Sequence, residues 1–231
     1  MESTGKRERT KFLSFHLKIL PLKHGNYKSS RSFLQTFTKI LYILDRKGVE
    51  EKLKSETCEY TVVWDQNLLD VIRASFSKIS WQTYQSQACT APWTLVHGDF
   101  HPANMMVRKG TNNLILLDWE VVGVGCGPQD LGQYVISHMS AAARRSIEES
   151  ALQYYYDLLT KEGSSTVTKE AYSWSQCRSD YVMGGAERWI WLLAVITRMC
   201  PEPMVQFFHD QVKDFILDHG ITPHTIGMPR I

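Results

Sequence analysis

The sequence has no excess of either charge: 26 Lys and Arg stand against 24 Asp and Glu, a formal net charge of +2. No global field therefore draws the chain to nucleic acid or to an anionic membrane surface. It also lacks a long apolar run. The longest, Trp189 to Ile196, falls far short of the roughly 18–20 residues that cross a bilayer, and Ser14, His16 and Lys18 interrupt the stretch from Phe12 to Leu20, so no signal-peptide core forms. Cysteines are few and scattered (Cys58, Cys89, Cys126, Cys177, Cys200), odd in number and never spaced C-x-x-C. That argues against a disulfide framework or a zinc knuckle and for a reducing compartment. The expectation is a cytoplasmic protein without a membrane or nucleic-acid partner. What is present is ordinary globular composition: 43% hydrophobic and 22% charged residues exclude a disordered or fibrous chain. A length of 231 residues makes one domain or one and a half, and 7 Trp with 10 Tyr indicate a large core or an aromatic-lined cleft.

Residues 1–30 are polar and basic and read as a poorly ordered segment. From Ser32, Phe33, Phe37, Ile40, Leu41 and Leu44 recur at helical spacing, with Gly48 as a stop. Asp65 suits the cap of a second helix with Leu68, Leu69, Ile72, Phe76 and Ile79 inward. Thr94 to Val96 reads as a strand entering a loop broken by Gly98 and Pro102. Met105 to Arg108 and Leu114 to Leu117 then form a hairpin around a Gly- and Asn-rich turn. Asp130 and Gln133 have the spacing of a capping box. Three helical stripes follow: Ile147 to Leu159, then Tyr172 to Met199 with a bend expected at Gly184 and Gly185, then Val205 to Ile216 ending at Gly220. Helices around one small hairpin make an α+β arrangement.

The chemistry lies in His97-Gly98-Asp99-Phe100-His101-Pro102-Ala103-Asn104 and, after the hairpin turn, Leu116-Leu117-Asp118-Trp119-Glu120. Asn104 enters the first strand and Asp118 leaves the second. Antiparallel strands lie about 4.8 Å apart, so an amide oxygen and a carboxylate can meet on one hard cation. Oxygen donors of this kind suit Mg²⁺, which takes its other ligands from water and substrate phosphates. Asp99, on the loop just before, is placed to accept a proton from a hydroxyl. A loop Asp, an Asn five residues on and a following Asp are the parts of a kinase catalytic loop.

Together these motifs resemble the aminoglycoside phosphotransferase and choline kinase-like family of small-molecule kinases, from about Leu95 to Leu131. The resemblance implies a protein-kinase-like C-terminal lobe over residues 31–231, mainly helical with a small catalytic β-hairpin. It also implies ATP and Mg²⁺ as cofactors and a small-molecule hydroxyl as phosphoryl acceptor. In its terms Asp99 resembles the catalytic base, and Asn104 and Asp118 resemble the metal ligands. His97 resembles the His that braces the loop, and Asp130, after Gly127 and Pro128, resembles the Asp opening the next helix. Glu120 matches an acidic residue that often follows the metal Asp. His101 stands where protein kinases usually carry a Lys, which favours the small-molecule branch.

The family's N-terminal lobe carries a Gly-rich strand-turn-strand, a strand Lys and a helix Glu. Only 96 residues precede His97, Gly5, Gly25 and Gly48 form no such loop, and Lys18 is the one residue in a strand-like run that imitates the strand Lys. The chain is thus expected to hold a phosphotransferase lobe with most of its nucleotide lobe missing. The alternative is a catalytically impaired, pseudokinase-like binding module or truncated product, self-associating through the uncovered lobe surface.

Blander readings apply elsewhere. His97, Asp99 and His101 alternate as at the start of a metallohydrolase site, but Pro102 follows and no companion motif exists. Gly123, Gly125 and Gly127 mimic a nucleotide loop but follow Asp118 without a β-α-β context, which suits a flexible segment like an activation segment. Trp189, Trp191 and Leu192 read as core, Tyr154 to Tyr156 as a helix face, and Arg46 to Lys54 as a solvated helix end. His209, His219 and His224 show no ligand spacing.

Overall fold

The first described helix begins where the sequence puts its cap. Residues 62–89, 93–110, 113–161 and 167–230 are described by a computed structural model, all within the unit Lys39–Ile231. The expected basic segment 1–30, the helix from Ser32, Lys18, the stretch from Arg46 to Lys54 and Cys58 lie outside these residues. Helix α1 spans Gln66–Ser77, and the Asp65 carboxylate accepts from the Leu68 N–H at 2.9 Å, which satisfies one of the amides a helix start leaves unpaired. Leu68, Leu69 and Ile72 turn inward, while Ile79 lies past the helix end. A short helix, α2 (Trp81–Cys89), follows. Its apolar pattern does not announce it, but Ser80 Oγ accepts from the Thr83 N–H at 3.0 Å at its start.

Two small antiparallel ribbons come next. Strand β1 (Trp93–Val96) pairs with β4 (Gly123–Cys126), Leu95 opposite Val124. Between them β2 (Met105–Val107) and β3 (Leu114–Leu116) form the expected hairpin, each strand one residue shorter at its C-terminal end. The glycine-rich connection is therefore not the flexible segment its composition suggests, because Gly123 to Cys126 takes up strand pairing with β1. Leu95, Val124, Val107 and Leu114 are exposed on these ribbons.

The rest is helical: α3 (Gln129–His138), α4 (Ala141–Leu159), α5 (Trp174–Met199) and α6 (Glu202–Asp218). Ser140 caps α4 and Ser173 caps α5 through their hydroxyls. On α4 the inward residues are Arg144, Leu152 and Tyr156, while Ile147 and Leu158 of the expected stripe are exposed. On α6 Val205, Val212, Phe215 and Ile216 are buried as the spacing predicts, and Gly220 follows with φ +61°.

Helix α5 is the centre of the core. Every residue from Gly184 to Trp191 is buried, so it is enclosed on all sides rather than along one stripe. The glycine pair does not break it. A Cβ on Gly132 of α3 would lie 2.8 Å from the Gly185 Cα, and one on Gly184 would lie 2.6 Å from the Cys126 Sγ. These glycines let α3 and the end of β4 approach the α5 backbone, a closeness any side chain would prevent. The segment after α6 returns to bury Ile221, Ile226 and Met228. It is tied by Ser75 Oγ donating to the Gly227 carbonyl at 2.7 Å and by the Arg230–Glu187 ion pair at 2.5 Å. Together these elements make an α+β fold. Among the described residues no helix is long and apolar enough to cross a membrane.

Candidate active site

The loop between β1 and β2 is held at its backbone amides by a side chain from α3. The Asp130 carboxylate accepts from the His97 N–H at 2.7 Å and from the Gly98 N–H at 3.0 Å. Asp130 therefore does not cap its own helix: Pro128 occupies the N-cap, Asp130 lies in the first turn, and its side chain reaches back to the loop. Gln133 completes no capping box either; it is buried, and its Oε1 has no partner among the described residues. Gly98 sits at φ +79°, where a Cβ would lie 2.6 Å from the Val121 carbonyl, so this turn requires glycine.

His97 is buried, and its ring links two parts of the site. Nδ1 accepts from the Asp99 N–H at 3.3 Å, which leaves the proton on Nε2 to donate to the Leu117 carbonyl at 2.8 Å. Leu117 directly precedes Asp118, and its own N–H donates to the Asn104 carbonyl at 2.8 Å. Asn104 and Asp118 thus stand at adjoining backbone positions at the mouth of the hairpin, as its pairing requires. The Trp119 ring, 4.6 Å from that of His97, covers this junction.

Asp99 is half-buried, and one of its carboxylate oxygens is occupied. Asn104 Nδ2 donates to Asp99 Oδ2 and to the Asp99 carbonyl, both at 3.0 Å. Those two bonds use both amide hydrogens, so His101 Nε2, 3.2 Å from the same Oδ2, completes the set as a donor. Asp99 Oδ1, Asn104 Oδ1 and the exposed Asp118 carboxylate accept nothing from the described residues. Asp118 has φ +56°, the sole positive value among described non-glycine residues. Asp tolerates the left-handed region better than most side chains, and the turn there re-aims the chain as it leaves β3. Glu120 lies on the exposed turn beyond it.

Around this loop stands a set of rings and charges. Phe100 packs near Tyr134, Tyr134 near His138, and His138 stacks on His101 at 5.7 Å. Burial lowers the His138 pKa, and the neighbouring His101 adds to the effect. From α5 the buried Arg188 donates Nη2 to the Gly98 carbonyl at 2.5 Å. Burial lowers its pKa, while the charges of Asp99 and Asp130 oppose that shift. The spacing of the loop motif does not reveal Arg188 or His138. A Glu-Arg pair inside the otherwise apolar stretch from Gly184 to Ile196 is the one sequence signal that marks Arg188.

The donor set suits a hard cation, since an amide oxygen and a carboxylate are both oxygen ligands. Among the described residues no three His, Cys, Asp or Glu side chains cluster as a protein-only metal cage. A shared site of two protein oxygens with substrate phosphates needs no such cage. The family described as uncharacterized oxidoreductase dhs-27 matches residues 25–212, which covers the whole loop, the hairpin and the helices down to α6. The chain belongs to this family, DUF1679. No curated protein and no solved structure matches it significantly. The DUF1679 match runs through Asp99, Asn104, Asp118, Asp130 and Arg188 alike.

Proposed function

We propose that this DUF1679 chain belongs to a phosphotransferase of the kinase-like type, which moves the γ-phosphoryl group of Mg·ATP to a hydroxyl of a small molecule. One observation carries the reading. Three oxygen sites without partners among the described residues (Asp99 Oδ1, Asn104 Oδ1 and the Asp118 carboxylate) belong to a loop and hairpin joined through His97 and Leu117. Asp99 would orient the acceptor hydroxyl and take its proton at Oδ1, while His101 and Asn104 hold Oδ2 still. Asn104 and Asp118 would hold Mg²⁺, which would supply positive charge to offset the charge developing on the transferred phosphoryl group. Fixing these groups in advance is the main service an enzyme can offer phosphoryl transfer, whose transition state asks for little covalent help. The strained backbone at Asp118 fits a residue held for function, since such conformations cost about 1–3 kcal/mol and cluster at working sites.

The family description names an oxidoreductase. Dinucleotide-binding folds bind pyrophosphate at a helix start that follows a parallel strand. Here the strand before α3 pairs antiparallel with β1, and the first turn of α3 carries Asp130, turned to the loop amides. Both features favour phosphoryl transfer over hydride transfer. The test is ADP release from Mg·ATP across a panel of hydroxylated small molecules, with Asp99→Asn as the control. Loss of the base lowers the rate about 10²–10⁴-fold with the fold unchanged by circular dichroism. Full activity in Asp99→Asn overturns the base assignment. Stabilisation by Mg·ATP with no turnover on any acceptor favours the binding-module alternative instead.

A further inference from the structure

The peptide unit between Gly98 and Asp99 is held at both ends. Its N–H, on Asp99, donates to His97 Nδ1 at 3.3 Å, and its carbonyl, on Gly98, accepts from Arg188 Nη2 at 2.5 Å. The two preceding amides are both taken by Asp130. Arg188 is 5% exposed and lies on the fully enclosed stretch of α5. Its Nε has no partner among the described residues. A buried guanidinium normally satisfies its fork on a carboxylate. Among the described residues this one makes its hydrogen bond to a backbone carbonyl one residue before the candidate base.

We propose that Arg188 is a positioning residue, whose guanidinium clamps the Gly98 carbonyl from α5 and thereby fixes the direction in which the Asp99 side chain leaves the loop. The proposal rests on the phosphotransfer reading only for its catalytic consequence; the clamp itself is a statement about the loop. A purely structural Arg would support the whole core. Arg188→Met leaves the Gly98 carbonyl without its donor, at a cost of about 1–3 kcal/mol, and the two roles differ in where that cost falls: on the loop alone for a clamp, across the core for a structural Arg. Because one donor does the work, Arg188→Lys keeps it.

The experiment uses the full chain with Arg188→Met and Arg188→Lys, read by amide hydrogen exchange at single residues and by thermal unfolding. Arg188→Met is expected to speed exchange of the Asp99 amide about 10- to 100-fold, the worth of one hydrogen bond to a charged group. The His97 amide, held by Asp130, stays within about threefold, and the amides of the α5 core keep their protection. Arg188→Lys restores most of the Asp99 protection. Where turnover exists, Arg188→Met lowers kcat and leaves the KM for ATP in place. An Asp99 amide unchanged in Arg188→Met refutes the clamp, and so does a uniform loss of protection across the core. Should Arg188→Met fail to fold, Arg188→Lys decides: Asp99 exchange as fast as that of free peptide overturns the proposal, and near-natural protection supports it. Absence of ADP release in the natural protein refutes the phosphotransfer reading and leaves the exchange result to judge Arg188.

Discussion

Removing the Asp130 carboxylate should release the loop that carries Asp99. Its two oxygens accept the His97 and Gly98 amides at 2.7 and 3.0 Å, and His97 is buried, so water cannot freely replace the lost acceptor. A hydrogen bond to a charged group contributes about 1.5–3 kcal/mol, which puts Asp130→Ala at about 3–6 kcal/mol. Asp130→Asn keeps one acceptor oxygen and turns an amide N–H₂ toward the other donor, so it should cost about half as much. If the loop melts with the whole fold, a urea slope of about 2 kcal/mol/M moves the Asp130→Ala midpoint down by about 1.5–3 M. If the loop opens alone, the midpoint holds and the His97 and Gly98 amides exchange about 10²–10⁴-fold faster. Tryptophan fluorescence reads the first outcome and residue-resolved exchange the second. A midpoint within about 0.3 M of the natural protein, together with unchanged exchange at both amides, would refute the tether.

Gly132→Ala should destabilise by about 1–3 kcal/mol, seen as a lower Tm. Its Cβ would meet Gly185 Cα and the Tyr181 carbonyl at 2.8 and 3.0 Å, and backbone cannot swing aside. A more stable variant, as helix propensity alone would give, contradicts the close approach. Burial pushes the thiol of Cys126 up to about 12 and that of Cys177 to about 11. Both should therefore stay unlabelled by iodoacetamide at about pH 8.5 in the folded chain and react once it is unfolded; labelling of Cys126 at the unfolded rate counts against its burial. Burial also lowers the pKa of His219, against the pull of Glu148. The unfolded chain then takes up this proton first, so stability present above about pH 6.5 is lost as pH falls through the folded pKa. His219→Gln should flatten that part of the urea-midpoint profile, and an unchanged slope would assign it to other groups.

Most elements could be read from period and cap. Asp65, the hairpin around Lys109 to Asn113, and the apolar face of α6 each follow from local sequence, because their signals lie within a few residues of where they act. What escaped reading depends on partners far along the chain. Asp130 has the spacing of a helix cap, yet its carboxylate serves amides 32 and 33 residues earlier. Gly123 to Cys126 looks like flexible linker until β1 supplies the opposite strand. Gly184 and Gly185 look like a hinge until Gly132 and Cys126 come against them. In the candidate site, Asp99, Asn104 and Asp118 stand out as a spaced set. Arg188, nearly ninety positions downstream, has no local pattern that ties it to the loop.

Asp130 and Arg188 grip the same loop from two helices, α3 and α5, and those helices touch through glycine backbones two residues from the first and three from the second. Main chain against main chain has no rotamers to relax, so the spacing between the two grips cannot drift as side chains reorganise. A methyl group added at position 132 or 185 would then be felt mostly at a loop it never contacts, as a jaw whose pivot has been shimmed.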